Sequence, residues 1–242
     1  MIKRVRVGAA VWAAAFVMTA GAAPPVGAAA DQTVANWQMN EGSNASTMVD
    51  SGPNNINVPI GSAIVTGVQV NGATAYRWTH TPPNQPPTKP ERLLIVDDNR
   101  FNPGSDDFAI TVRFRTTFNF GNMIQKGQSN TRGGQFKWQI PSGKLQCLFK
   151  GVASNGSILK RGVGSGNIRL NDGDWHTVRC ERTATRVTMT IDGNITKRTN
   201  GPTGNISNNV PMTIGGKLNC NQINITCDYF AGDIDWVLIE RG

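Results

Sequence analysis

Runs of residues that alternate apolar and polar, one by one, constrain this chain more than any other feature. Phe108, Ile110, Val112 and Phe114 fall on one phase, and Ala109, Thr111, Arg113 and Arg115 on the other. Phe136, Trp138 and Ile140 alternate with Gln135, Lys137 and Gln139, and Val187, Met189 and Ile191 with Thr188 and Thr190. Successive side chains of an extended chain point to opposite faces, so this pattern describes strands with one face buried and the other wet. Turn dipeptides punctuate the runs: Ser142-Gly143, Asn155-Gly156, Asp172-Gly173, Asp192-Gly193 and Asn200-Gly201. Their residues tolerate the positive φ that tight hairpins demand. No stretch sustains a helical period of 3.6 with caps at both ends. The expected fold is all-β, an antiparallel two-sheet β-sandwich.

The first thirty residues stand apart from this pattern. Lys3, Arg4 and Arg6 make a basic start, an uncharged apolar run follows from Val7 to Ala20, and Ala28-Ala29-Ala30 offers small residues for a signal peptidase. That is the form of a secretory signal peptide, residues 1–30, cleaved after Ala30. The apolar run is too short for a membrane span, which needs about 20 residues. No second apolar run of spanning length exists, so the expected fate is release from the cell. Residues 31–242 then form one domain, long enough to bury a substantial core. Losing Lys3, Arg4 and Arg6 lowers the formal charge from +8 to +5. The remaining positive charge is too diffuse to indicate a nucleic-acid partner, for which clustered Lys and Arg are expected.

All four cysteines, Cys147, Cys180, Cys220 and Cys227, lie beyond the leader. An even count in an exported chain indicates two disulfides, with three possible pairings. A zinc site would call for a C-x2-C pair, which is absent. Cys220 and Cys227 are close in sequence and are expected to pair. Cys147 alternates with Leu145 and Phe149, and Cys180 with His176 and Val178, so both point into the core and can meet there. The Pro-rich stretch Thr81 to Pro90 is expected to be a long surface loop within the one sandwich.

The segments Trp37 to Ser43, Leu170 to Gly193 and Phe230 to Glu240, with others between them in order, resemble laminin-G-like jelly rolls of the concanavalin-A-like fold, in a secreted bacterial form. The opening reads Trp37-Gln38-Met39-Asn40-Glu41-Gly42-Ser43 and then Val49-Asp50-Ser51-Gly52-Pro53-Asn54. Gly104 to Thr117 resembles the family's F-T-V strand, and Leu170 to Gly193 its D-G-x-W-H hairpin. Met212 to Gly216 and Phe230 to Glu240 resemble the closing segments. The resemblance implies a jelly roll but not an activity, because that fold hosts lectins, adhesion modules, hydrolases and lyases. It also implies a calcium ion between the opening and closing segments, with Asp50 and Asp235 as the matching carboxylates. The competing reading of Asp50 is a cap on the Asp50-Ser51-Gly52 turn.

Catalytic patterns are weak by comparison. Glycosidases need two carboxylates about 5 to 10 Å apart. Glu41, Glu91, Glu181 and Glu240 are scattered, and no E-x-D-x-E strand occurs. Asp233 and Asp235 share a face but belong to the closing motif. A lyase needs a Tyr or His base. Tyr76 and Tyr229 are the only tyrosines, and His176 occupies a packing position of the family hairpin. No nucleophile elbow, P-loop or HExxH is present.

The reading is therefore a secreted non-catalytic module for carbohydrate or an extracellular matrix or cell-wall polymer. The alternatives are a polysaccharide-active enzyme and an adhesive protein-binding domain. Trp37, Trp138, Trp175 and Trp236 fall on core phases, which leaves Trp78, beside the Pro-rich loop, as the candidate sugar-stacking ring. Arg113, Arg115, Lys137, Lys150 and Arg179 lie opposite the apolar phase, with Gln135, Gln139 and Gln146. If their strands are neighbours, they form a basic patch suited to an anionic polysaccharide.

Overall fold

Each alternating run becomes a strand in the structure, a computed structural model that describes residues 30–82, 84, 91–219 and 227–242. The first strands are β1 (Gln32–Trp37), β2 (Thr47–Met48), β3 (Val58–Pro59), β4 (Ile64–Val70), β5 (Ala73–Trp78) and β6 (Leu94–Val96). The middle of the chain forms β7 (Phe108–Arg115), β8 (Asn122–Lys126), β9 (Gln135–Gln139), β10 (Gln146–Val152) and β11 (Ile158–Gly164). Then come β12 (His176–Arg182), β13 (Arg186–Ile191), β14 (Ile195–Asn200), β15 (Met212–Ile214) and β16 (Gly232–Arg241). Helix among the described residues consists of single 3₁₀ turns at Asn99–Phe101 and Pro141–Gly143 and a 3₁₀ stretch at residues 227–228.

Two antiparallel sheets form the sandwich. The eight-stranded sheet runs β14-β13-β12-β7-β16-β5-β4. One edge of β16 pairs with β7 along its length, while the other is shared by β5 at residues 232–234 and β1 at residues 237–241. The six-stranded sheet runs β11-β10-β9-β8-β15-β6, and β2 and β3 form a small ribbon. Turn chemistry sets the hairpins as the sequence implied. Asp192 and Gly193, in the three-residue link between β13 and β14, both take positive φ (50° and 71°), a conformation that Asp and Gly tolerate.

The inner phases of both sheets meet in one core. Phe108, Ile110, Val112 and Phe114 of β7 face inward and are fully buried, as are Phe136, Trp138 and Phe149 of the opposite sheet. Trp138 meets Phe149 edge to face at 5.4 Å and Phe136 at 5.9 Å, arrangements that add to the stabilisation from burial. Cys147 on β10 and Cys180 on β12 form the expected disulfide and tie one sheet to the other. A crosslink spanning 33 residues contributes roughly 3 to 4 kcal/mol in the chain-entropy account. Cys227 is also disulfide-bonded; its expected partner Cys220 lies outside the described residues, as does nearly all of the Pro-rich stretch.

Buried Arg182 is a residue that the alternating pattern did not anticipate. Only 2% exposed, it donates to the carbonyls of Gly104, Asp106 and Gly204 at 2.7 to 3.1 Å. These acceptors satisfy a guanidinium that burial pulls down to about 10.

Candidate functional site

The strand phases put Arg113, Arg115, Lys137, Lys150 and Arg179 on outer faces, as expected, but not on one patch. β7 and β12 belong to the eight-stranded sheet, β9 and β10 to the six-stranded sheet. Arg113, Arg115 and Arg179 therefore sit on one side of the sandwich, and Lys137 and Lys150 on the other.

On the eight-stranded side the arginines are matched by acids from β16 and β12. Arg113 pairs with Asp235 and lies over the Trp175 ring at 4.8 Å. Arg77 grips Asp233 with Nε at 2.7 Å and Nη2 at 3.0 Å, and Arg115 approaches the same carboxylate at 3.5 Å. Arg179 pairs with Glu240 and with Glu181. Four arginines thus face four carboxylates. The expected basic patch at Arg113 and Arg115 is a neutral mesh, because the neighbouring strand supplies the counter-charges.

Two tryptophan assignments change as well. Trp78 is 2% exposed, packs edge-on against Phe230 at 6.1 Å, and donates its Nε1–H to the Arg92 carbonyl. It is a core residue, not a stacking platform. Tyr76 and Trp78 alternate with Arg77, which is the signal that would have placed it inside. Trp37 and Trp138 are buried as expected, whereas Trp175 and Trp236 are half-buried and outside the core cluster. A bulge between Ile234 and Trp236 shifts the register of β16 and takes Trp236 off the inward phase.

The six-stranded side differs in its charge balance. Lys137 stands in register with Leu148 of β10 and Gln125 of β8. Lys150 is in register with Gln135 and with Lys160. A groove of about 230 Å³ runs over this face, lined by Asn122, Gln125, Gln135, Lys137 and the Lys217–Asp228 ion pair. Asn122 donates to Gln125 at 2.8 Å, and Gln125 donates to the Gly127 carbonyl at 2.6 Å. Gln139 donates to Gln146 beside the groove, and Lys150 donates to the Ser129 carbonyl. Lys137 makes no hydrogen bond or ion pair with any described residue. Burial holds its ammonium below the ordinary lysine range, with Asp228 opposing and Lys160 and Lys217 reinforcing the shift. Gln135 is 4% exposed, and its side-chain amide likewise has no partner among the described residues. The sequence pointed to Lys137, Gln135, Gln139 and Gln146; it gave no sign that Asn122, Gln125 and Asp228 would join them.

The two candidate calcium ligands are otherwise engaged. Asp50 is buried, its Oδ1 accepting the amides of Asn36 and Gly52 and its Oδ2 that of Ile56, each at 2.8 Å. This is the turn-capping role, extended to tie β1 to the following loop. Asp235 is paired with Arg113. These carboxylates do not fit an ion bridging them, since calcium takes 6 to 8 oxygens and these are committed to amides and a guanidinium. No cluster of three or more His, Cys, Asp or Glu suited to a metal occurs among the described residues.

Two of the candidate bases, His176 and Tyr76, are held by acidic partners. His176 lies between Asp192 at Nδ1, 2.9 Å, and Asp172 at Nε2, 3.0 Å. Burial alone would lower its pKa, but the two carboxylates outweigh it and hold the imidazole above its ordinary value. Tyr76 donates to Glu41 at 2.5 Å, and burial followed by that bond pushes its phenol upward. Burial pushes Tyr229 up to about 12. Both shifts run opposite to what a catalytic base needs.

A sandwich of this topology, with the W-H hairpin and the closing strand in these registers, defines a laminin-G-like jelly roll. The laminin G domain model matches residues 114–241, and the chain belongs to the laminin G domain family. It is 31% identical over 143 residues to laminin subunit alpha-1 of Mus musculus, covering 56% of this chain and 4% of that protein's length. Among solved structures it resembles domain 4 of the extracellular arabinanase AbnA of Geobacillus stearothermophilus, determined with arabinotriose. There the TM-score is 0.56 at 14% identity, over 88% of this chain and 94% of that one. The binding domain of botulinum neurotoxin serotype D gives a TM-score of 0.51 at 11% identity, over 87% and 46%. At such identities these two likenesses establish the fold alone.

Proposed function

We propose that the domain is a secreted, non-catalytic module that binds an anionic polysaccharide across the outer face of its six-stranded sheet. The observation that carries this reading is Lys137: a half-buried ammonium beside the side-chain amide of Gln135, neither with a partner among the described residues. Burying an unpaired charge is costly, and an anionic ligand would supply the missing acceptor while Gln135 and the neighbouring amides meet hydroxyls. A fold neighbour solved with arabinotriose is compatible with a saccharide ligand. Export is supported by the leader pattern of residues 1–30 and by the intersheet disulfide, which persists in oxidising compartments. The secreted bacterial form and the domain span of 31–242 are part of the same reading. Arg179 donates to the Ala30 carbonyl at 3.1 Å, a bond that cleavage after Ala30 would remove; the intact mass of the exported protein tests that boundary.

The binding test is retention on polygalacturonate and on neutral dextran, at low and high salt, for the wild type and Lys137→Gln. Retention on the acidic polymer should fall with salt, since exposed charges are screened over about 8 Å at physiological ionic strength. Lys137→Gln should weaken binding about tenfold, or 1.4 kcal/mol. Equal retention on both polymers, or full retention by the variant, sinks the proposal. Release of reducing ends or unsaturated products from the acidic polymer would establish the enzymatic alternative instead.

A further inference from the structure

The eight-stranded sheet carries a second groove, which the polyanion reading does not use. It opens where β16 begins. Gly232 is opposite Trp78 of β5, and Asp233 is opposite both Arg77 of β5 and Arg115 of β7. Ahead of Gly232 the chain drops into the core, with Phe230 and Ala231 buried. The flanking strands run on as Thr79-His80 and Thr116-Thr117-Phe118, leaving a trough of about 260 Å³ between them. Gly232 keeps the floor low: a Cβ there would lie 2.4 Å from the Arg115 carbonyl oxygen.

The trough has an aromatic wall and a paired-charge floor. His80 and Phe118 stack with centroids 4.5 Å apart and planes within 2°. The Phe118 amide donates to Thr116 Oγ1 at 3.0 Å, and that hydroxyl donates to the Ala231 carbonyl at 2.6 Å, which fixes the loop in place. Phe118 nevertheless remains 36% exposed, and Phe120, two residues on, 46%. They are the only aromatics among the large exposed apolar side chains of the described residues. On the floor, Asp233 holds Arg77 and Arg115, while Arg77 Nη1 and Arg115 Nη2 make no hydrogen bond with any described residue.

We propose that this trough is a subsite for a neutral sugar residue, stacked on Phe118 and hydrogen-bonded to the Arg77–Asp233 pair. A pyranose has an apolar C–H face and a rim of hydroxyls that donate and accept. An aromatic ring beside an ion pair offers the matching set: a surface to stack on, guanidinium N–H donors, and a carboxylate acceptor. A neutral sugar fits better than an acidic one, because both arginines already contact the Asp233 carboxylate, which a sugar carboxylate would have to approach. His80 acts as a positioning residue that backs the Phe118 ring.

The test is titration of cellohexaose, xylohexaose and mannohexaose into the wild type, Phe118→Ala, Arg77→Gln and Lys137→Gln, followed by backbone-amide NMR at low and high salt. At least one of these neutral oligosaccharides should shift the amides of Thr79, Thr117, Phe118 and Gly232. Phe118→Ala, at an exposed position where folding is not at stake, should weaken that binding about tenfold. Salt and Lys137→Gln should leave it unchanged, so this site and the polyanion face fail separately. Absence of shifts at the trough with all three sugars, or wild-type affinity in Phe118→Ala, overturns the proposal.

Discussion

On the six-stranded sheet the charges that act on Lys137 are those of Lys160, Lys217 and, among the described residues, one carboxylate, Asp228, while Lys150 stands in register with Lys160. On the eight-stranded sheet four arginines interlock with Asp233, Asp235, Glu181 and Glu240. Both faces arise from strands with basic and amide residues on the outer phase. What separates them is the strand next door. β7 lies between β12 and β16, and β16 brings Asp233 and Glu240 into register and Asp235 at its bulge. β9 lies between β8 and β10, which bring amides and another lysine. A face's field is a property of the sheet order, not of any one strand.

The comparison can be broken at several points. Trp78→Ala, beneath the eight-stranded trough, should cost about 3 to 5 kcal/mol through the cavity it leaves, whereas Lys137→Gln should leave the melting temperature nearly unchanged. Chemical denaturation of both variants checks this, and a mild Trp78→Ala would mean the ring is not part of the core. Asp235→Asn with Glu240→Gln should convert the neutral mesh into a basic face. Each exposed pair lost costs about 1 kcal/mol or less, but the double variant should elute from polygalacturonate at higher salt than the wild type. Unchanged elution would show that net charge on this face does not govern retention.

His176 offers a finer probe, at the start of β12. Its pKa is raised in the folded state, so its ion pairs stabilise fully below the unfolded value of about 6.5 and cease to do so as pH rises through the folded value. His176→Gln should therefore lower the melting temperature more at pH 5.5 than at pH 9. The difference should be about 1 kcal/mol or less, because Asp172 and Asp192 are nearly half exposed. A gap that widens with pH would refute the pairing. Smallest of all, chelator should leave the melting temperature unmoved, given that Asp50 and Asp235 are engaged by amides and Arg113; a calcium-dependent rise would show that these contacts yield to the ion.

How far the sequence reached follows from the same physics. Period-two alternation determines which face a side chain takes, so the strands, the Cys147–Cys180 crosslink and the outward direction of Lys137 and Arg113 were all legible. Sheet order depends on contacts between residues far apart in the chain, such as Arg77 with Asp233, and alternation carries no record of it. The bulge in β16 shows a second limit: one extra residue reverses the phase, and Trp236 leaves the core without any change in composition. Trp78 is a different case. Its alternation with Tyr76 was visible, and its nearness to the Pro-rich stretch proved the poorer guide.

The placement of β16 bears on how the molecule comes to be folded. Residues 232–241 form a strand flanked by β7 on one side and by β1 and β5 on the other. The eight-stranded sheet thus has, near its middle, a segment that follows all the strands it joins by more than 100 residues of chain. Until it arrives, β7 lacks one neighbour, and β1 and β5 lack the strand that joins them to the rest. Such long-range closure makes for slow folding, and it keeps the nascent chain from settling into its final sheet early. A sheet that stays open until β16 docks belongs to a chain that can still be threaded through a narrow pore.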